Sequence, residues 1–322
     1  MEATISLKTT HRATHRFTAY ACLVTALTLA VILWGAYVRA SHSGDGCGAH
    51  WPLCNGVAIP DTGTAGAGAK TAIEYAHRVT SGLDGLLVLG LVAWAFAAFP
   101  RGHMARSGAV VSAVFIVTES LIGAGLVLLR LVGENASVLR AVYLSVHLTN
   151  TFALIAAMAL TAWWSRSFES QGLRWRAFLR SRVALPLLSA LALGVSGAVA
   201  ALGATLFPEN AAAVAAPEMS PAAQLMFSLR HYKLHPLLAV VVGAYLAHFA
   251  WSSMRGSPEG WIHRWAMAVF TLTIIQFLAG LWNAALSAPI WLQITHLFLA
   301  DALWIALVLL SVANLEAEKA HP

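Results

Sequence analysis

The sequence predicts an all-α polytopic membrane protein, with eight transmembrane helices arranged as two pseudo-symmetric four-helix bundles in a parallel repeat. Three observations predict it. The 322 residues are 59% hydrophobic and only 11% charged, whereas an ordinary soluble domain carries about 25% charged residues, so a soluble globular fold is excluded. The apolar residues gather in eight blocks, each near or above the ~20 residues that carry a helix across a bilayer. The last four blocks repeat features of the first four in the same order.

The blocks are 18–38, 72–99, 107–129, 141–164, 183–206, 232–252, 263–286 and 291–313. The first follows basic residues as a signal peptide would, but its apolar run exceeds the usual 7–15 residues of such a segment and the repeat needs it, so it is read as retained. It carries Cys22, read as a buried apolar filler. The second opens on Glu74-Tyr75-Ala76-His77-Arg78. The third and seventh match best: Ala113-Val114-Phe115 returns as Ala268-Val269-Phe270, and Ala124-Gly125-Leu126 as Ala279-Gly280-Leu281, at one constant offset. The fourth and eighth share Val146-His147-Leu148 and Thr295-His296-Leu297. The second and sixth align when His77 is set against His235. The first and fifth agree only through Gly35-Ala36 and Gly197-Ala198. An even number of helices in each half makes the repeat parallel.

No connecting segment exceeds about 35 residues, too short for a separate domain of ~50 residues or more. The expected division is a cytoplasmic tail at 1–17, an N-terminal bundle at 18–164 with an outer loop at 39–71, a cytoplasmic linker at 165–182, a C-terminal bundle at 183–313 and a cytoplasmic tail at 314–322. The net charge of +6 is sorted by loop. With the N-terminus inside, thirteen of the twenty Lys and Arg fall on the inner side, and Arg39, Lys70, Arg78, Arg130, Arg140, Arg230 and Lys233 on the outer. That follows the positive-inside rule and puts both termini in the cytoplasm. The basic excess thus sets topology; the expected partner is the lipid bilayer and not a nucleic acid.

Under this topology His77, His147, His235 and His296 all lie one to two turns below the outer surface. Each half then offers two imidazoles from two non-adjacent helices, the arrangement that grips a haem iron from both faces. A lone intramembrane histidine more often hydrogen-bonds a neighbouring helix, but four at matched positions and depth favour ligation. Zinc fits less well, since it takes three or four protein ligands. His231, on the same helical face as His235, is the rival ligand; setting it against His77 would draw Lys233 deeper into lipid at a cost, so His235 is preferred.

The halves differ chemically. Glu74 stands one turn from His77, where a carboxylate can move a proton or position an oxidant, and Arg78 suits a haem propionate. Tyr232 and Pro236 replace them in the second half. A structural Glu–Arg pair is the alternative reading. Glu119 could serve a proton path, bind substrate or join helices, while Asp301 lies too far round its helix from His296 for an assigned role. Cys47 and Cys54 lie in the outer loop, where a disulfide would fold the loop over the adjacent site; thiol exchange, or metal binding with His42 or His50, are the other readings.

These residues resemble the haem A synthase family, membrane enzymes that convert haem O to haem A for cytochrome oxidases. The likeness is carried by Arg39 and the Gly-rich loop with Cys47, Trp51-Pro52, Cys54 and Asn55-Gly56, by Glu74–Arg78, by His147-Leu148 with Asn150-Thr151, and by His235-Pro236 and His296-Leu297. It covers about residues 18–313. The resemblance implies that the N-terminal half holds the substrate haem O, with His77 and His147 near its iron and Glu74 as catalytic acid. It implies a haem b held by His235 and His296 in the C-terminal half, and a Cys47–Cys54 disulfide. The implied reaction is stepwise oxidation of a porphyrin methyl to a formyl group, using dioxygen or water-derived oxygen. It draws haem O from a haem O synthase and electrons from a quinol or ferredoxin-type donor, in the cell inner (plasma) membrane with both haem sites toward the outer side. Homo-oligomerisation is left open. The segment 197–204 departs from the expected pattern, and no functional residue is carried from it. The alternative is a di-haem b cytochrome that moves electrons from quinol, which leaves Glu74 and the loop cysteines without a role. A transporter would need helices broken at midplane, and no matched pair of interrupted blocks is evident. Haem extraction from the purified protein separates the first two: haem O or haem A supports the enzyme, and haem b alone in both halves supports the cytochrome.

Overall fold

The computed structural model describes residues 2–63, 67–166, 182–207, 234–257 and 259–320. Eight helices are long and apolar enough to cross a membrane, and no strand is found among the described residues. They are α1 (Glu2–Ala40), α2 (Ala67–Ala98), α3 (Met104–Leu128), α4 (Val138–Trp164), α5 (Ala184–Leu206), α6 (Leu234–Gly256), α7 (Gly260–Ala285) and α8 (Ile290–Ala320). The protein is a multi-pass helical membrane protein.

The expected blocks reappear with longer ends. Helix α1 begins at Glu2 rather than near residue 18, and α8 runs on to Ala320, so most of the two expected tails is helix. Neither Pro nor Gly occurs in 2–34 or 290–320, so nothing stops the backbone hydrogen-bond ladder. Phe17 is fully buried against Phe99, with ring centroids 4.9 Å apart. Elsewhere polar groups set the ends. The His103 imidazole accepts from Ala105 N–H at the start of α3, and Ser137 Oγ accepts from Arg140 N–H at the start of α4, each satisfying a donor that the first turn leaves free. Proline in α5 stands at Pro186, within the first turn, where its missing N–H costs nothing. His231, Tyr232 and Lys233, and most of the expected linker 165–182, lie outside the described residues.

Helices α1 to α4 touch in a ring, α1–α2, α2–α3, α3–α4 and α4–α1, and α5 to α8 do the same. The two groups meet through α4–α8, α4–α5 and α1–α8. Helices α4 and α8 are therefore central: 50% and 56% of the residues in their apolar stretches are buried, against 11–28% in the other six. At their seam Phe152 stacks on Trp304 at 5.0 Å, and Trp304 Nε1–H donates to the Phe152 carbonyl at 2.7 Å. Ile155 and Val308 extend the contact, packed by Leu29 and Ile32 of α1 and Leu187 and Leu191 of α5. Gly194 of α5 makes room for Phe152, since a Cβ there would come within 2.7 Å of its ring.

Large apolar side chains point outward, Leu86, Leu121, Leu237 and Leu278 among them, as expected of a surface that meets hydrocarbon. Cys22 corrects the expectation set for it. It is exposed on α1, because the apolar pattern of a membrane helix does not distinguish a lipid-facing position from a core one.

Arg39, at the end of α1, joins the two groups. Its Nη1 donates to the Ala201 carbonyl at 3.0 Å and to Thr205 Oγ1 at 2.6 Å on α5, and its Nη2 donates to Gln293 Oε1 at 3.0 Å on α8. Only a planar fork with several fixed donors reaches acceptors on two helices at once. Arg39→Met should lower stability in detergent by about 1–3 kcal/mol, read as a lower midpoint of thermal unfolding. Arg39→Lys should recover only part of the loss. An unchanged midpoint in the Met variant would show the clamp to be idle.

Candidate haem sites

The loop after α1 folds back on α2 through a set of short-range constraints. Asn55 and Gly56 both have positive φ, 53° and 82°, and form the tight turn of the hairpin in which Cys54 and Val57 exchange backbone hydrogen bonds. Asn-Gly is the pair that tolerates such a turn. Cys54 of this hairpin is tied to the preceding segment by its disulfide with Cys47, with Cα atoms 4.4 Å apart and both residues buried. In that bonded form the two sulfurs are not available as thiolate ligands beside His42 or His50; His42 instead pairs with Glu134 at 2.8 Å. Gly46 passes so close to α2 that a Cβ would meet the Lys70 carbonyl at 2.5 Å.

Glu74 and Arg78 latch this loop. Glu74, 3% exposed, accepts Cys47 N–H on Oε2 at 2.8 Å and Arg78 Nη2–H on Oε1 at 2.5 Å. Arg78 Nη1 donates to the His50 and Leu53 carbonyls at 2.6 and 2.7 Å. The pair thus holds the disulfide hairpin against the start of α2, one turn from His77. A propionate could reach Arg78 only through the donors left on Nη2 and Nε.

The four histidines are seated by neighbouring helices. His77 lies on Gly35 of α1, where a Cβ would come within 2.9 Å of its ring; His235 lies on Gly197 of α5 at 3.1 Å, and His296 on Gly280 of α7 at 2.9 Å. His147 has no such glycine. Gly125, matched to Gly280 in sequence, faces the Tyr143 ring instead, one turn before His147. The His235 and His296 rings stand edge to face, at 6.5 Å between centroids and 84° between planes. His235 Nδ1 is 2.9 Å from Ser196 Oγ, and Gln276 Nε2 is 3.4 Å from His296 Nε2. His147 lies within electrostatic reach of His77. The Nδ1 atoms of His77, His147 and His296 are buried without a hydrogen-bond partner.

The donor set fits haem. Metal–imidazole bonds of about 2 Å and ring radii of about 1 Å place two imidazoles on opposite faces of one iron roughly 6 Å apart between centres, close to the His235–His296 spacing. Among the described residues no three His, Cys, Asp or Glu gather into a cage for a bare metal ion; His235 and His296 meet as a pair. Buried ring nitrogens without partners are costly in a membrane interior; for His77 and His296 ligation is one way to use them, and for His147 Glu119 stands nearby.

The first pair has a carboxylate network that the second lacks. Glu119 of α3 accepts from Thr151 Oγ1 and from Asn150 Nδ2 of α4, the latter at 2.5 Å, and its Oε1 is 3.4 Å from His147 Nδ1. Two further buried carboxyls stand deeper. Asp84 accepts from Thr28 Oγ1 at 2.9 Å, and Asp301 is fully buried with neither oxygen partnered. Sequence reasoning missed Gly35, Gly197, Ser196, Gly280 and Gln276 as parts of the sites. Two signals pointed to the glycines: the weak match of Gly35-Ala36 with Gly197-Ala198 and the matched Gly125 and Gly280.

A membrane-embedded helical protein with paired imidazoles at the loop-bearing end of its helices is the class that fold and site define. The chain belongs to the COX15-CtaA family, cytochrome oxidase assembly proteins, whose model matches residues 18–308. It is 46% identical over 302 residues to a Thermus thermophilus protein named protoheme IX farnesyltransferase, a match that covers 94% of this chain and 49% of the relative. It is 32% identical over 156 residues to a heme A synthase of an Exiguobacterium species, covering 48% of this chain and 49% of the relative. With a heme A synthase of Symbiobacterium thermophilum the identity is 36% over 137 residues, 42% of each chain. The chain spans about half the length of the curated relatives it matches.

Arg78→Met removes the two hydrogen bonds from Arg78 to the hairpin, together with its ion pair to Glu74, and leaves the disulfide in place. Limited proteolysis should then cut within residues 41–63 at least tenfold faster than in the wild type, while the helices stay intact. Equal cleavage rates would show that the disulfide alone holds the loop.

Proposed function

We propose that this chain is a haem A synthase, a membrane haem-modifying oxidoreductase that oxidises a methyl substituent of haem O to a formyl group for cytochrome oxidase assembly. The carrying observation is the inequality of two otherwise matched imidazole pairs. Among the described residues, His77 and His147 have two carboxylates beside them, Glu74 and Glu119, under a loop latched by Arg78. The His235–His296 pair has the neutral partners Ser196 and Gln276. A reaction needs groups that move protons or position reactants; an electron carrier needs only ligands and a dry surrounding.

On this reading residues 18–164 and 183–313 form two bundles related by the repeat. His77 and His147 hold substrate haem O in the first, and His235 and His296 hold a haem b in the second. That haem b, when bound, supplies one-electron chemistry. Glu74 has two tasks: it anchors the hairpin through Cys47 N–H, and as an acid at the site it handles protons. Haem O comes from a haem O synthase; dioxygen is the oxidant, one of its atoms entering the methyl carbon and the other leaving as water with electrons from a quinol or ferredoxin-type donor. The orientation is that of a plasma-membrane protein with cytoplasmic termini and outward haem sites, supported by the charge sorting.

The name of the Thermus relative points to farnesyl transfer. This chain accounts for 49% of that relative, and heme A synthases match this chain as well; we assign the oxidation to the half shared with this chain and the transfer to the remainder. Expression with a haem O synthase in a host that makes no haem A tests the proposal by chromatography of extracted haem. Haem A should accumulate; Glu74→Ala should keep its haem but leave haem O unconverted, and His235→Ala or His296→Ala should lose haem b. Accumulation of haem O alone would sink the oxidase reading. Conversion of protohaem to haem O by this chain without the synthase would replace it with the transferase.

A further inference from the structure

We infer that Glu119 is the carboxylate that orients His147, a positioning residue that makes His147 unlike the other three histidines. The inference rests on the haem reading above. Glu119 is held on several sides. Thr151 donates to its Oε1 and Asn150 to its Oε2, and Asn150 is itself fixed by donating to the Phe115 carbonyl at 2.9 Å and accepting from Thr118 Oγ1 at 2.6 Å. Asn150 and Thr151 follow His147 by three and four residues and so share its face of α4. One turn of α4 therefore presents a histidine and the two residues that fix a carboxylate opposite it.

Oε1 keeps a lone pair after accepting from Thr151, and it lies 3.4 Å from the His147 Nδ1, which is buried and has no partner. That separation is longer than a formed hydrogen bond. Such contacts are often long before a site is loaded and tighten afterwards. With its proton on Nδ1 directed at Glu119, His147 presents Nε2 as the ligating atom in one orientation. An outer carboxylate of this kind sets the tautomer of a ligating histidine and raises its basicity, which favours the oxidised metal. His235 has a serine hydroxyl in the corresponding role and His296 a glutamine amide nearby, neither of them charged. Glu119 thereby tunes the substrate-side haem and leaves the other untouched.

The test uses the haem-loaded full chain in detergent, with midpoint potentials measured by spectroelectrochemistry. In Glu119→Gln one haem should shift to higher potential, the same one that His147→Ala loses, while the second stays put. Retained haem with both potentials unmoved would overturn the inference and leave Glu119 as a link between helices. Should Glu119→Gln fail to fold, His147→Gly reconstituted with imidazole or with 1-methylimidazole asks the same question with Glu119 present. Only imidazole has an N–H to give, so its adduct should have the lower potential; equal potentials would overturn the inference. A wild-type chain that takes up no haem would overturn the haem reading together with this inference, an outcome distinct from unmoved potentials in a loaded protein.

Discussion

The seam between α4 and α8 governs the placement of everything that carries chemistry. Phe152 stacks on Trp304, and the indole N–H closes on the Phe152 carbonyl, so the two helices are locked in register as well as in contact. His147 is five residues before Phe152 and His296 eight before Trp304. A slip along the seam would thus move one candidate ligand against the other. Near the loop-bearing end of α1 the Arg39 fork ties that helix to α5 and α8. A large contact and a small polar clamp divide the work: the seam, with its indole hydrogen bond, sets packing and register between α4 and α8, and the clamp supplies directed hydrogen bonds from α1 to α5 and α8.

Close approach of helices is the second constraint. An imidazole between two membrane helices needs room that a side chain on the facing helix would occupy. Three of the four histidines find it at Gly35, Gly197 and Gly280. The fourth is packed differently, with Tyr143 filling the space over Gly125 and Glu119 standing beside the ring. The departure from the common pattern falls in the half where Glu74, Arg78 and the disulfide hairpin also gather, so the differences between the halves concentrate around one imidazole pair.

Much of this was legible in the sequence. Helix number followed from block lengths, because a bilayer demands about 20 apolar residues per crossing. The ligand candidates followed from the matched positions of His77, His147, His235 and His296, and the loop disulfide was among the readings open for Cys47 and Cys54. Other features had no sequence signature. Cys22 reads the same whether it faces lipid or core. Arg39 counted as an outer basic residue and as part of the family pattern, but nothing in α1 announces its acceptors on α5 and α8. The segment 197–204 looked too loose to matter, yet Gly197 seats His235 and Ala201 accepts from Arg39; a glycine against a ring and a bare carbonyl leave almost no trace in side-chain chemistry.

The sequence by itself determined the membrane class, the eight crossings, the histidine pairs and the chemical inequality of the halves, because each depends on composition, on spacing along one helix or on local repeats. Only the tertiary structure decided which groups meet: Glu74 with Cys47 N–H, Arg78 with the His50 and Leu53 carbonyls, Glu119 with the α4 face that bears His147, and Trp304 with Phe152. These contacts join residues 25 to 152 positions apart. A hydrogen bond between helices depends on rotation and depth, which packing sets and which the order of residues along either helix does not reveal.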